Sequence, residues 1–196
     1  MYINLVFPLC CLLFSLMINI VYFTKKRIDS DENRIYQGLL KINLFTLVFE
    51  FACTYYSFNY VDTLSEIIIK IYLCGLIAWI SYFVLYMRII AKMSKARTYA
   101  IRKRNLYIIV LLCCIAISVL PLKINLSSAG ANSTGLAVNF VYLASFADIT
   151  YCSLITLFKR KEIQTKKSVP LLVFLVFGSL TAVVQYFNPF MLLITS

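Results

Sequence analysis

The stretch IIIKIYLCGLIAWISYFVLYMRII, Ile67–Ile90, decides how the chain is read. Its only charges are Lys70 near one end and Arg88 near the other. A helix rises about 1.5 Å per residue, so roughly 20 apolar residues cover the ~30 Å hydrocarbon core of a bilayer. The stretch is that long, and each cation sits where its stem can carry the charge to the nearer surface. It is predicted to be a transmembrane helix.

The same length test picks out five more runs, at about 3–23, 39–58, 106–120, 136–158 and 169–187. The run over 106–120 is short but stopped by Pro121. Backbone groups in lipid need partners within their own segment, which favours helices. No ten-residue stretch alternates with period two as barrel strands do. Residues 1–196 are therefore expected to form one domain, an all-α polytopic transmembrane bundle. It has six full spans, and Asn188-Pro189 turns the chain into the start of a seventh at 188–196.

Composition agrees. Apolar residues make up 62% of the chain and charged residues 14%, against about 25% charged in soluble domains. The net charge of +11 lies in loops between apolar runs, so it points to head groups and topology and not to nucleic acid. One set of loops carries Lys25, Lys26, Arg27 and Arg34, then Lys92, Lys95, Arg97, Arg102, Lys103 and Arg104, then Lys159, Arg160, Lys161, Lys166 and Lys167. The alternate loops, NYVDTLSE (59–66) and PLKINLSSAGANSTG (121–135), hold only Lys123. Basic loops stay in the cytoplasm, so the N-terminus is expected outside. The segment 1–27 lacks a basic start and ends in Lys25-Lys26-Arg27, so it reads as a first span and not a removed leader. The run SSAGANSTG (127–135) reads as a flexible outer loop. The triplets NLS and NST of the loop 121–135 match the glycosylation pattern, which alone carries little weight.

All seven cysteines lie in apolar runs, none forms a CxxC pair, and the chain has no histidine. They read as small hydrophobes, with neither a metal site nor a cofactor expected.

Three stretches, DENRIYQGLLKINLFTLVFEF (31–51), AVNFVYLASFADI (137–149) and VPLLVFLVFGSLTAVVQYFNPFMLLITS (169–196), resemble the multi-span N-terminal sensor region of Firmicute-type membrane histidine kinases. The resemblance covers most of the chain and rests on phrasing and helix order. It implies a seventh span leading to a cytoplasmic kinase output domain beyond Ser196, and a protein that works as a homodimer. No kinase core lies within the chain: there is no phospho-acceptor histidine and no Gly-rich ATP-binding segment.

Charges inside spans default to functional candidates. Glu50 and Asp148 fall near the middle of their runs, with no lysine or arginine at that depth. Together they form a candidate acid pair that responds to a proton, a cation or a cationic ligand. Protonated acids bonding helices together are the plainer alternative. Gln185 and Asn139, nearer the outer ends of their spans, are further candidates, and Asn43 lies near an inner end. TYYSFNY (54–60) reads as an interfacial aromatic belt, with Tyr55, Tyr56, Tyr60 and Tyr72 as an alternative outward pocket. Ser30 is placed to cap a short helix starting at Asp31 and leading into the second span.

No enzyme is expected within the chain: it has no HExxH or GxSxG, no base stands ready to activate a cysteine, and although a carboxylate dyad could do acid-base work, nothing marks a substrate site. A proton- or cation-coupled transporter or channel fits buried acids, but the two halves show no inverted repeat. The expectation is a sensory input module in the plasma membrane, passing an extracellular or bilayer signal inward by population shift.

Overall fold

A computed structural model describes residues 3–26, 28–59, 63–91, 96–127, 130–159, 163 and 165–187, some by their backbone alone. The described residues form six helices and one hairpin: α1 (Ile3–Thr24), α2 (Asp31–Asn59), α3 (Thr63–Ile90), α4 (Ala96–Val119), β1 (Lys123–Ser127), β2 (Gly130–Thr134), α5 (Leu136–Phe158) and α6 (Thr165–Phe187). Four of these helices, α1, α2, α3 and α5, are long and apolar enough to cross a membrane. The chain is a helical, membrane-associated protein. Six full spans are more than these helices support. In α4 the apolar part is only Arg104–Val119, because its first turns carry Arg97, Arg102 and Lys103. Among the described residues of α6 it is Leu171–Leu180. The start of a seventh span, 188–196, lies outside the described residues.

Short connections make neighbouring helices antiparallel. The contacts follow that rule. Between α2 and α3, Thr46 meets Gly75, Gly38 meets Tyr82, and Tyr36 packs on Tyr86 with ring centroids 5.8 Å apart. Between α3 and α4, Lys70 Nζ donates to the Ser118 carbonyl at 3.0 Å, Cys74 Sγ lies 4.0 Å from the Cys114 carbonyl, and the Tyr82 and Tyr107 hydroxyls are hydrogen-bonded. As one number rises the other falls, so α4 returns along the whole middle of α3. By contrast α5 runs parallel to α3: Ile69 and Leu73 cluster with Val138 and Val141, and Arg88 bonds to Tyr151. Thus α3 is the central helix, touching α2, α4 and α5, while α1 packs on α2 and α6 on α5.

The glycine-rich segment read as a flexible loop is instead an antiparallel hairpin, pairing Lys123 with Thr134 through Ser127 with Gly130. KINLS alternates polar and apolar residues, and Leu122 and Ile124 settle on the core beside α3 and α5. Asn125 Nδ2 ties the strands by donating to Thr134 Oγ1 at 2.8 Å. Gly135, at φ +124°, turns β2 into α5, and a Cβ there would lie 2.7 Å from the Pro121 carbonyl. At the other end of the bundle, Ser30 caps α2 as expected: the Asn33 N–H donates to Ser30 Oγ at 3.2 Å. No separate lead-in helix forms, because α2 is continuous from that cap. The exposed Asp29 carboxylate accepts two bonds from Arg34, which hold its pKa below the ordinary aspartate value.

The α2–α3 approach is tight at two glycines. A Cβ on Gly75 would lie 2.8 Å from Thr46 Oγ1, and one on Gly38 the same distance from the Tyr82 ring. Gly178 on α6 faces open space. Gly75→Val is therefore expected to destabilise the bundle by about 1–3 kcal/mol, an overpacking cost. Gly178→Ala is expected to be neutral or to stabilise by about 0.5–1 kcal/mol. Thermal unfolding of the purified variants in detergent checks both.

Candidate functional site

A polar seam runs along α2. Asn43, Thr46, Glu50 and Thr54 recur at steps of three and four, which places them on one helical face. That face meets α1 and α3. Asn43 Nδ2 donates to Ser15 Oγ on α1 at 3.1 Å, and Asn19 Nδ2, one turn along α1, donates to the Ser15 carbonyl at 2.8 Å. The Thr46 and Thr54 hydroxyls donate to the carbonyls of Ile42 and Glu50, four residues back in their own helix. Thr46 also sits against Gly75, so the seam coincides with the closest approach of α2 to α3.

Glu50 is the exception. It is 5% exposed, and its Oε1 has no hydrogen-bond partner among the described residues. Around it lie Cys11 of α1, Cys53 one turn along α2, and Tyr72 of α3. No lysine or arginine of the described residues pairs with it. Burying a carboxylate without a partner is costly, so a proton or a bound cation is what this position calls for.

The other sequence candidates fall elsewhere. Asp148 is half-buried on α5 beside Cys113 and Cys152, whereas Glu50 is buried on α2 beside Cys53, and its Oε1 takes no hydrogen bond from Asp148. Asn139 is exposed in the first turn of α5. Gln185 lies on the backbone of α6 and its side chain is outside the described residues, as is all of Tyr60. Tyr55 is exposed and packs edge-on against Tyr56 at 5.6 Å, whereas Tyr72 joins the core cluster of α3 and α5. They do not share one pocket. Of the basic residues, Lys25, Lys26 and Lys159 lie at the end of the bundle remote from the hairpin, and Arg104 is exposed on α4. The side chains of Arg102 and Lys103 are not described, and Arg27, Arg160 and Lys161 lie outside the described residues.

Two further features escaped the sequence. Arg88 does more than reach for the surface: its Nε donates to the Tyr151 hydroxyl at 2.8 Å, and its guanidinium lies 5.1 Å from that ring's centroid. Ser15, Asn19, Thr46 and Thr54 belong to the seam around Glu50, and the recurrence along α2 was their available signal. The seven cysteines are all free, as bilayer thiols are expected to be. No metal-binding cluster of His, Cys, Asp and Glu occurs among the described residues.

No protein family, curated protein or solved structure matches this chain. What the site can do rests on its own chemistry: one uncompensated buried acid in a seam where three helices meet.

The Asn43–Ser15 bond joins two side chains across α1 and α2. A double-mutant cycle with Asn43→Ala and Ser15→Ala is expected to give a coupling of about 0.6 kcal/mol, the usual worth of an interhelical bond in a membrane. Unfolding in mixed micelles reads it, and additive single effects would remove the bond from the seam.

Proposed function

We propose that this chain is a membrane-embedded sensory input module whose sensing element is Glu50. The carrying observation is the buried Oε1 without a partner, set in a seam whose other polar groups are bonded. A proton or cation arriving at Glu50 changes the charge at the α1–α2–α3 junction. It favours whichever helix arrangement best accommodates the new state, and the population shifts toward it. The shift then passes to a cytoplasmic output domain, which by resemblance is a histidine kinase core beyond Ser196.

The proposal includes six crossings of the plasma membrane, with the N-terminus and the hairpin outside. The return of α4 along α3 from Tyr82 to Lys70 supports its crossing despite its short apolar part. Gathering of Lys25, Lys26 and Lys159 at the end remote from the hairpin supports the orientation. A proton- or cation-coupled transporter draws on the same buried acid and is the reading to be separated.

Trp79, the only tryptophan, serves as the reporter. It lies two turns from Tyr72 on α3 and stacks on Phe83 at 6.0 Å. In nanodiscs, Trp79 emission is expected to titrate with pH or with added cation in the wild type and to lose that response in Glu50→Gln. In proteoliposomes under a pH gradient, proton flux is expected to equal that of empty vesicles. Flux above that level, lost in Glu50→Gln, would hand the site to transport. A wild type with neither titration nor flux would remove Glu50 from function altogether. The output half is checked on the transcript. A reading frame that continues past Ser196 into a histidine-bearing helix and an ATP-binding segment supports it, and an early stop codon removes it.

A further inference from the structure

A second feature lies along α3, between α2 and α4. Because α2 and α4 flank α3 without closing over it, they leave a groove of about 820 Å³ along that helix. Its walls are apolar: Ile42 and Phe45 on α2, Ile67 and Ile71 on α3. The small residues Gly75 and Ala78 keep its floor low. It is open on the side where Phe45 and Ile67 are half exposed. From Glu66 to Ala78 the helix rises ~18 Å, a little over half of the ~30 Å hydrocarbon core. That is the length of an acyl chain from a single leaflet.

The two ends of the groove differ in charge. At the hairpin end Lys70 is already satisfied: it pairs with Glu66 at 2.9 Å and donates to the Ser118 carbonyl. At the other end stands Lys41, and no carboxylate among the described residues pairs with it. Its stem lines the groove while its ammonium rests 5.5 Å from the Phe23 ring centroid, on the side toward the end of α1. A cation held only by a ring face keeps most of its charge for another partner. A long apolar groove with a neutralised far end and an available cation at the near end complements a lipid with a negative head group.

We propose that this groove binds one anionic phospholipid, its acyl chain along α3 and its head-group phosphate at Lys41. The site is separate from the Glu50 seam and needs only that the chain sits in a bilayer. Under the orientation proposed above, Lys41 faces the cytoplasmic leaflet, where anionic lipids concentrate.

Native mass spectrometry of the detergent-purified chain, supplied with phosphatidylglycerol or phosphatidylcholine in turn, tests it. The wild type is expected to retain one phosphatidylglycerol, with a preference over phosphatidylcholine of roughly fivefold, as expected for one lysine at a lipid surface. Lys41→Gln is expected to erase that preference, and Lys70→Gln to leave it intact. Ala78→Phe fills the floor and is expected to lose both lipids. Each variant is first checked for an unchanged elution profile, and Lys41→Gln carries the test alone if Ala78→Phe fails to fold. Equal retention of the two lipids by the wild type would overturn the proposal, as would an unchanged preference in Lys41→Gln. So would a lipid-free dimer, which would give the groove to a second copy. None of these outcomes depends on Trp79 or Glu50, so the sensor proposal stands or falls separately.

Discussion

The approach of α2 to α3 is the constraint from which the rest of the bundle follows. Two glycines, Gly38 and Gly75, leave room for Tyr82 and Thr46 where a Cβ would come within 2.8 Å, which favours this register. Lipid tails are as apolar as leucine, so burial supplies little drive for helices to associate in a membrane. Close contact at small residues supplies it instead. With α2 fixed on α3, the polar face of α2 must meet α1, and the remaining sides of α3 are left for α4 and α5. The parallel course of α3 and α5 then requires α4 to return between them, and the hairpin closes the turn that results.

The same contact separates two environments on α2. One side faces α1 and carries Asn43, Glu50 and their neighbours; the other borders the groove, where Ile42 and Phe45 line an open wall. A single helix thus divides a buried polar seam from an apolar channel.

How much of this was legible depended on which physical rule acted alone. The helices were readable because bilayer thickness sets their length and lipid sets their composition, and Ile67–Ile90 satisfied both without reference to any partner. The spans at 106–120 and 169–187 were read by apolarity up to their edges. In the structure α4 continues as helix into basic turns, so its apolar length falls short. The hairpin was missed because KINLS alternates for five residues only, and glycine-rich sequence is compatible with both loop and strand. Ser30 was found because a cap is local. The seam was half found: Glu50 and Asn43 stood out by polarity, but serine and threonine did not. Their hydroxyls can return to a carbonyl four residues back on any face of a helix, so their presence does not reveal which way they point. Glu50 and Asp148 were read as a pair from their similar place along two spans, which says nothing about the neighbours each meets in the bundle: Cys53 and Tyr72 for one, Cys113 and Cys152 for the other.

Those two acids now call for different accounts. Had Glu50 been retained only to bond helices together, its carboxyl would be expected to resemble the Asn43 amide, with its polar atoms matched by a neighbour. The seam offers such matching at every other position: Ser15 meets Asn43, and the Thr46 and Thr54 hydroxyls turn back on their own helix. Replacing Glu50 by an apolar residue of similar shape would leave all of those bonds in place and remove the cost of a buried, unmatched oxygen. A residue that costs the fold and supports none of its neighbours is poorly explained as glue. The proposed role of Glu50, holding a proton or a small cation, accounts for that cost.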